Sequence, residues 1–231
     1  MAAYPDIAFL DGEQLRQVAT LAELGTGRFY VDDAADRIWI GDDPAGRTVE
    51  AGDLPYALYF NKANGSSLKN VVVRRYATPA SNMAAVRAYA NSITVTNATF
   101  EDNAYIGLSA MGQHFDFSDL LVQDNAYIGV HGHHADDFSL RRSTVLRNNR
   151  ELFDWGHSGS GVKVTTSTGI EFRDNYVADN MGPGLWTDLS GVDVTVVGNL
   201  LERNLRSSIM MELSGFVTVV NNVVIGSGVT G

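Results

Sequence analysis

The sequence predicts an all-β fold, a parallel β-helix in which short strands and turns repeat coil after coil. Three observations predict it. A phrase of β-type run, Asn or Asp, β-type run, second Asn, Gly and apolar run recurs from about Leu68 onward with a period in the low twenties. Helical periodicity is absent there, while Val, Ile, Thr, Phe and Tyr are frequent. Gly, Asn and Asp punctuate these runs where turns are needed. Three copies are Asn97 to Gly107, Asp119 to Gly129 and Asp174 to Gly184, and the second asparagines Asn103, Asn125, Asn149, Asn180 and Asn204 fall 22, 24, 31 and 24 residues apart. The interval of 31 is one period with an insertion of roughly seven residues, Arg150 to Gly156.

The elements follow in chain order. Residues 1–66 read as a β-rich lead-in packed on the solenoid. Phe9 to Leu15 and Arg28 to Ile40 each place turn residues between β-type runs, Gly41 to Gly46 is a further turn cluster, and Gln14 to Leu24 could form one short helix. Residues 67–231 read as about six to seven coils stacked at about 4.8 Å. Asparagine at an equivalent turn of each coil can satisfy backbone groups in its neighbours and tolerates left-handed backbone, which makes Asn103, Asn125, Asn149, Asn175, Asn180, Asn199, Asn204 and Asn222 structural. Phe100, Phe138 and Phe172 fall at core-facing positions. The sequence ends after Val223 to Gly231 with no capping helix or charged rung, so the solenoid end is expected to be covered by further segments of a longer parent or by an oligomeric partner.

Composition narrows the chemistry. The chain has 231 residues, 17 Lys+Arg against 27 Asp+Glu, a formal charge of −10 and no cysteine. Thiol nucleophiles, iron–sulfur sites and cysteine-based zinc sites are excluded. The negative charge argues against nucleic acid or anionic membrane as partner and mildly against polyanionic substrates. No apolar run reaches the ~20 residues of a spanning helix. Met1 to Asp6 lacks the pattern of a signal peptide, so the protein either stays inside the cell or has a leader outside this sequence. No phosphate-binding loop, dinucleotide fingerprint or EF-hand loop is present. Gly156 to Ser160 nearly reproduces a hydrolase nucleophile elbow but ends in Ser160 rather than Gly and lacks the strand–turn–helix context.

Alternation along the strand after each Gly sorts inward from outward positions. Inward fall Val86 and Ala88, Leu108 and Ala110, Val130 and Gly132, Val162 and Val164, Leu185 and Thr187, Ile209 and Met211. One outward column reads Arg87, Ser109, His131, Lys163, Trp186, Met210, and the other Tyr89, Met111, His133, Thr165, Asp188, Glu212. An idle solenoid face would carry scattered Ser, Thr, Lys and Glu; this one collects an Arg, two His, a Lys, a Trp, two aligned carboxylates and a Tyr, which marks it as the candidate functional face.

Asp188 and Glu212 lie 24 residues apart, one coil, in the same column. Carboxyl groups roughly 5–5.5 Å apart suit double displacement, one attacking the sugar and the other acting as acid then base. Two such charges raise one pKa, and Trp186 and Met210 would desolvate the more buried group and keep it protonated as the acid. The alternative is a surface pair whose repulsion Lys163 or Arg206 relieves. His131, His133 and His134, with Asp136 or Asp137, could hold a transition metal, but neutral histidines also bind sugar hydroxyls, and that reading is preferred. Trp155 and His157 fall in the insertion, where a loop could overhang the groove.

The repeat from about Leu68 to Gly228 resembles right-handed parallel β-helix proteins of the pectate-lyase-like superfamily, and the lead-in is similar to segments that precede bacterial β-helices. Leu185-Trp186-Thr187-Asp188, followed one coil later by Ile209-Met210-Met211-Glu212, resembles β-helix glycoside hydrolases of the β-xylosidase type. That resemblance implies Asp188 as nucleophile and Glu212 as acid/base. It departs after the glutamate, where Leu213-Ser214-Gly215 replaces the Asn-His-Gly-type continuation of those enzymes. The expected function is retaining glycoside hydrolysis on a poly- or oligosaccharide, without a cofactor, in a secreted or cell-surface parent. Trp186, Lys163, His131, His133, Arg87, Tyr89, Trp155 and His157 are the expected substrate contacts. One rival is a uronate lyase or epimerase with Lys163 or a histidine as base, Arg87 or Tyr89 assisting, and Ca²⁺ held by Asp188 and Glu212. The other is a glycan-binding solenoid stacking sugars on Trp186, Trp155 and Tyr89.

Overall fold

A computed structural model of the chain describes residues 6–80 and 84–228. Each coil contributes one strand to a seven-stranded parallel sheet that runs from Val72–Arg74 to Val223–Ile225. The larger sheet carries the other strands of every coil, Ala84–Tyr89, Ser160–Thr165, Leu185–Asp188 and Ile209–Met211 among them. Strands Ile106–Ser118 and Ile128–Arg141 run unbroken through two strand positions, with a register shift between Ala110 and Gly112. The all-β solenoid predicted from the repeat is the fold.

The first coil begins inside the stretch predicted as lead-in. Leu58–Asn61 already pairs in parallel with Ala84–Tyr89, and Ser67–Lys69 with Ile93–Thr96. Before it, Ala8–Leu10 and Glu13–Gln14 form an antiparallel hairpin joined to Val49–Ala51, and Arg28–Asp32 pairs with Arg37–Ile40. The helix expected over Gln14–Leu24 shrinks to one 3₁₀ turn, Leu21–Glu23. Its first half is taken by sheet pairing: Leu15 N donates to Ala8 O, Arg16 N to Gly27 O and Val18 N to Phe29 O. A segment this short has too little helical stability of its own to resist those ladders. Ile7 and Phe9 pack on Ala104, and Gln14 Nε2 donates to Glu151 Oε1 at 3.2 Å, so the lead-in grips the solenoid flank beside the insertion.

The interior follows the predicted alternation. Val86, Leu108, Val130, Val162, Val164 and Leu185 are fully buried, as are Phe100, Phe138 and Phe172. Phe117 and Phe138 meet edge to face at 5.5 Å, and burial of each such ring contributes about 1.5–3 kcal/mol.

Two asparagine ladders close the turns. One runs Asn103, Asn125, Asn148, Asn180, Asn204, each Nδ2 donating to the next Oδ1 at 2.9–3.0 Å except the last, whose backbone N donates to Ser227 Oγ. The second runs Asn175, Asn199, Asn222. The ladder member in the inserted coil is Asn148 and not Asn149. Asn149 is structural in another way, donating to Phe153 O at 2.9 Å and Met181 O at 2.7 Å, which pins the insertion to the coil above. The ladder asparagines also leave the left-handed conformation to the residue before them, Asp102, Asp124, Arg147, Asp179 and Arg203, all with φ of 47–55°. This explains the Gly that follows in the repeat. A Cβ at Gly161 would lie 2.8 Å from Gly184 O and 2.9 Å from Asn180 Nδ2, so only glycine lets the ladder close against the strand.

Candidate active site

Parallel register fixes which side chains share a column. Arg87 lies beside Ser109, Ser109 beside His131, His131 beside Lys163, Lys163 beside Trp186, and Trp186 beside Met210. In the second column His133 lies beside Thr165 and Thr165 beside Asp188. The strand ends at Met211, but Glu212 N still donates to Thr187 O at 2.8 Å, so its backbone continues the ladder one coil, about 4.8 Å, from Asp188.

The centre of the site is an ion pair. Lys163 Nζ lies 3.1 Å from Asp188 Oδ2, with the two side chains 5% and 11% exposed. Asp188 Oδ1 accepts from Leu189 N at 2.6 Å. The same ammonium sits 3.3 Å above the Trp186 ring and donates to His157 O at 3.4 Å. Burial pulls the Lys163 pKa below the usual lysine range, opposed by the bond and charge of Asp188 and the charge of Glu212. The face points outward from the solenoid yet is dry here for two reasons: side chains on adjacent rungs stack on one another, and the insertion lies over Lys163. Asp154, Trp155, Gly156 and His157 form its tight turn, with His157 N donating to Asp154 O at 3.1 Å and Gly156 N to Asp154 Oδ1 at 2.9 Å.

The predicted residues separate accordingly. Lys163, Trp186 and Asp188 meet, and His131 lies one coil from Lys163. His131 is buried, and desolvation, then the charges of His133 and Lys163, push its pKa down to about 3. His133 is also shifted down, by burial and then by His134, and its Nδ1 bonds Thr165 Oγ1 at 2.9 Å. Glu212 is exposed at the rim. The Asp188 charge is therefore met by Lys163 from the preceding coil, while Glu212 stands on the following one. Arg206, the other candidate for that task, instead faces the Trp155 ring at 4.3 Å.

Some expectations change. Trp186 is 2% exposed with one ring face under Lys163, so it floors the site and offers no open face for stacking. His157 meets Lys163 through its carbonyl, while its imidazole is 88% exposed beside Asp154. The histidine segment does not assemble a metal set: Asp136 Oδ1 accepts from Thr168 N, Asp137 pairs with His114, and no metal-binding group of three acids or histidines occurs among the described residues. Arg87 and Tyr89 lie four coils from Asp188, about 19 Å at the spacing of parallel strands. Sequence reasoning missed Tyr59, which precedes Arg87 in the same column, because the repeat was traced only from Leu68; extending its alternation one copy back to Leu58-Tyr59-Phe60-Asn61 finds it.

Residues 57–231 match the family described as the right handed beta helix region. Among solved structures the chain is similar to XylC in complex with xylose, at 14% identity and a TM-score of 0.66, covering 96% of this chain and 50% of that one. It is also similar to the A-module of the mannuronan C-5 epimerase AlgE4 of Azotobacter vinelandii, at 16% identity and a TM-score of 0.53, covering 71% of this chain and 57% of that one. The chain thus spans about half the length of these proteins, and at such identities the likeness speaks to fold. No curated protein matches the sequence. With the family pattern running over the seven stacked coils and their asparagine ladders, the chain belongs to the right-handed β-helix family.

Proposed function

We propose that this chain carries the catalytic face of a carbohydrate-active enzyme, a retaining glycoside hydrolase acting on a poly- or oligosaccharide. The observation that carries the reading is the placement of Asp188 and Glu212 on adjacent coils, with Lys163 paired to the first and charged toward the second. Support comes from the Leu185-Trp186-Thr187-Asp188 strand and its glutamate one coil on, and from the likeness to a protein solved with xylose. In the first step an Asp188 carboxylate oxygen attacks the anomeric carbon, the bond to the leaving sugar breaks, and the Glu212 carboxylic acid protonates the departing oxygen. In the second step the Glu212 carboxylate takes a proton from water, whose oxygen attacks the same carbon and releases Asp188. Lys163 and Leu189 N hold the nucleophile in one orientation through both. Neutral His131 and His133 suit sugar hydroxyls, since each imidazole offers one donor and one acceptor.

The Ca²⁺ expected in a lyase does not fit, because the Lys163 ammonium already occupies the Asp188 carboxylate. A binding solenoid is disfavoured because the Trp186 face is covered. The test is hydrolysis of aryl glycosides by wild type, Asp188→Ala and Glu212→Ala, with azide as external nucleophile. Each variant should lose at least about 10³-fold in rate. Azide should give a glycosyl azide of inverted configuration with Asp188→Ala and of retained configuration with Glu212→Ala. Wild-type rates in either variant would remove the assignment.

A further inference from the structure

At the opposite end of the same sheet face, Arg87 stands among tyrosines and forms no ion pair among the described residues. Its guanidinium carbon lies 4.2 Å from the Tyr59 ring centroid, 4.8 Å from Tyr89 and 6.0 Å from Tyr56. Tyr59 and Tyr89 meet edge to face at 5.7 Å, and Ser109 Oγ lies 3.4 Å from Tyr89 Oη. Tyr56 and Tyr59 are 39% and 40% exposed, so aromatic surface faces solvent beside the cation. Among the described residues Arg87 has neither a salt bridge nor a hydrogen-bond acceptor, and its Nε is buried without a partner. In a chain carrying ten more acids than bases, an arginine held by rings and left without an anion is preorganised for one from outside.

We propose that Arg87, Tyr59 and Tyr89 form a distal subsite that takes the carboxylate of an acidic sugar unit within a mostly neutral glycan. The planar guanidinium fork matches a carboxylate with two parallel hydrogen bonds, and exposed Tyr59 and Tyr56 supply ring faces for the sugar itself. The column between Arg87 and Asp188 is Ser109, His131 and Lys163, themselves buried, with the more open His133 and buried Thr165 beside it, so the line joining the two sites runs about 19 Å parallel to the solenoid axis over a largely covered face. A glycan lying along it would meet Arg87 with one unit while another sits at Asp188. The net charge of −10 repels a polyanion, so recognition falls to a sparse carboxylate on a neutral chain. The proposal rests on reading this face as a glycan groove, but not on the catalytic roles of Asp188 and Glu212.

Calorimetric binding in an Asp188→Asn background tests it, with xylohexaose and the same chain carrying one glucuronate branch as probes. The branched probe should bind about tenfold more tightly, the fold-change of one charge-assisted contact. Arg87→Met should erase that preference, and Arg87→Lys, which keeps charge and stem but not the fork, should lose most of it and serves if the methionine variant fails to fold. Equal binding of the two probes, or a preference that survives both substitutions, overturns the proposal. A protein that cleaves no glycoside yet keeps an Arg87-dependent preference retains the subsite and loses only the hydrolase reading.

Discussion

His131 makes stability depend on pH in a way that can be calculated. Its imidazole is buried in the outward column between Ser109 and Lys163, with a pKa of about 3 against an ordinary value of 6.5. Below pH 6.5 the unfolded chain takes up a proton that the folded chain refuses. Stability is therefore fully present above that pH and falls as pH drops toward 3, by about 1.4 kcal/mol per unit. Between pH 7 and 4.5 the loss from this one residue amounts to about 2.5–3 kcal/mol. His131→Asn removes the titrating group and keeps a polar side chain. Urea denaturation of both proteins across this range isolates the term, because Asp6, Asp102 and Glu151, whose pKa values burial raises, contribute equally to each. The difference in unfolding free energy between wild type and variant should shrink steadily as pH falls. Parallel curves would refute the claim that the histidine is held neutral, and with it the view that this column is dry.

Two further substitutions probe the site and the frame separately. Lys163→Met strands the Asp188 carboxylate with only Leu189 N for a partner and should cost about 3–5 kcal/mol in chemical denaturation, most of it recovered when Asp188→Asn is added; a cost near zero would mean the pair is solvated. Asn180→Ala leaves Asn148 N without its acceptor in the interior and removes the Nδ2 bonds to Val145 O and Ala178 O, at about 1–3 kcal/mol for the buried N–H alone, whereas Asn222→Ala on a more open rung should cost about 1 kcal/mol. Equal denaturation midpoints for these two variants would deny the ladder its role.

The fold was legible because a solenoid repeats its evidence. Gly, Asn and alternating apolar residues recur in each coil, so an error at one position leaves the register of the rest intact. Asn149 illustrates this. Two adjacent asparagines both fit the spacing, and sequence alone could not choose between them, yet the strand assignments on either side held because Gly129 and Gly161 fix them independently. The columns were legible for the same reason. What lay beyond reach were contacts made by long side chains and loops. Lys163 could have pointed to solvent or to either carboxylate, and the choice depends on a ring beneath it and a loop carbonyl above it. The short lead-in strands were hidden by local propensity that tertiary pairing overrides.

The position of the insertion explains why one charged pair on an otherwise regular face is covered. A repeat of near-constant period gives every rung the same backbone geometry, with outward side chains stacked along the column. Only where the period lengthens, between Asn148 and Ser160, is there enough chain to fold back over the sheet. The added turn is tied down from three directions, by Asn149 to Phe153 O, by Glu151 to Gln14 of the lead-in, and by His157 O to Lys163. It covers the lysine in its own coil, and the lysine in turn meets the aspartate one coil on, so desolvation created by the insertion is handed along the column to Asp188. Glu212, one coil further, lies beyond that cover and stays exposed. A single irregularity thus places a buried carboxylate held by a cation one coil from an accessible one, so two chemically similar groups stand in different environments.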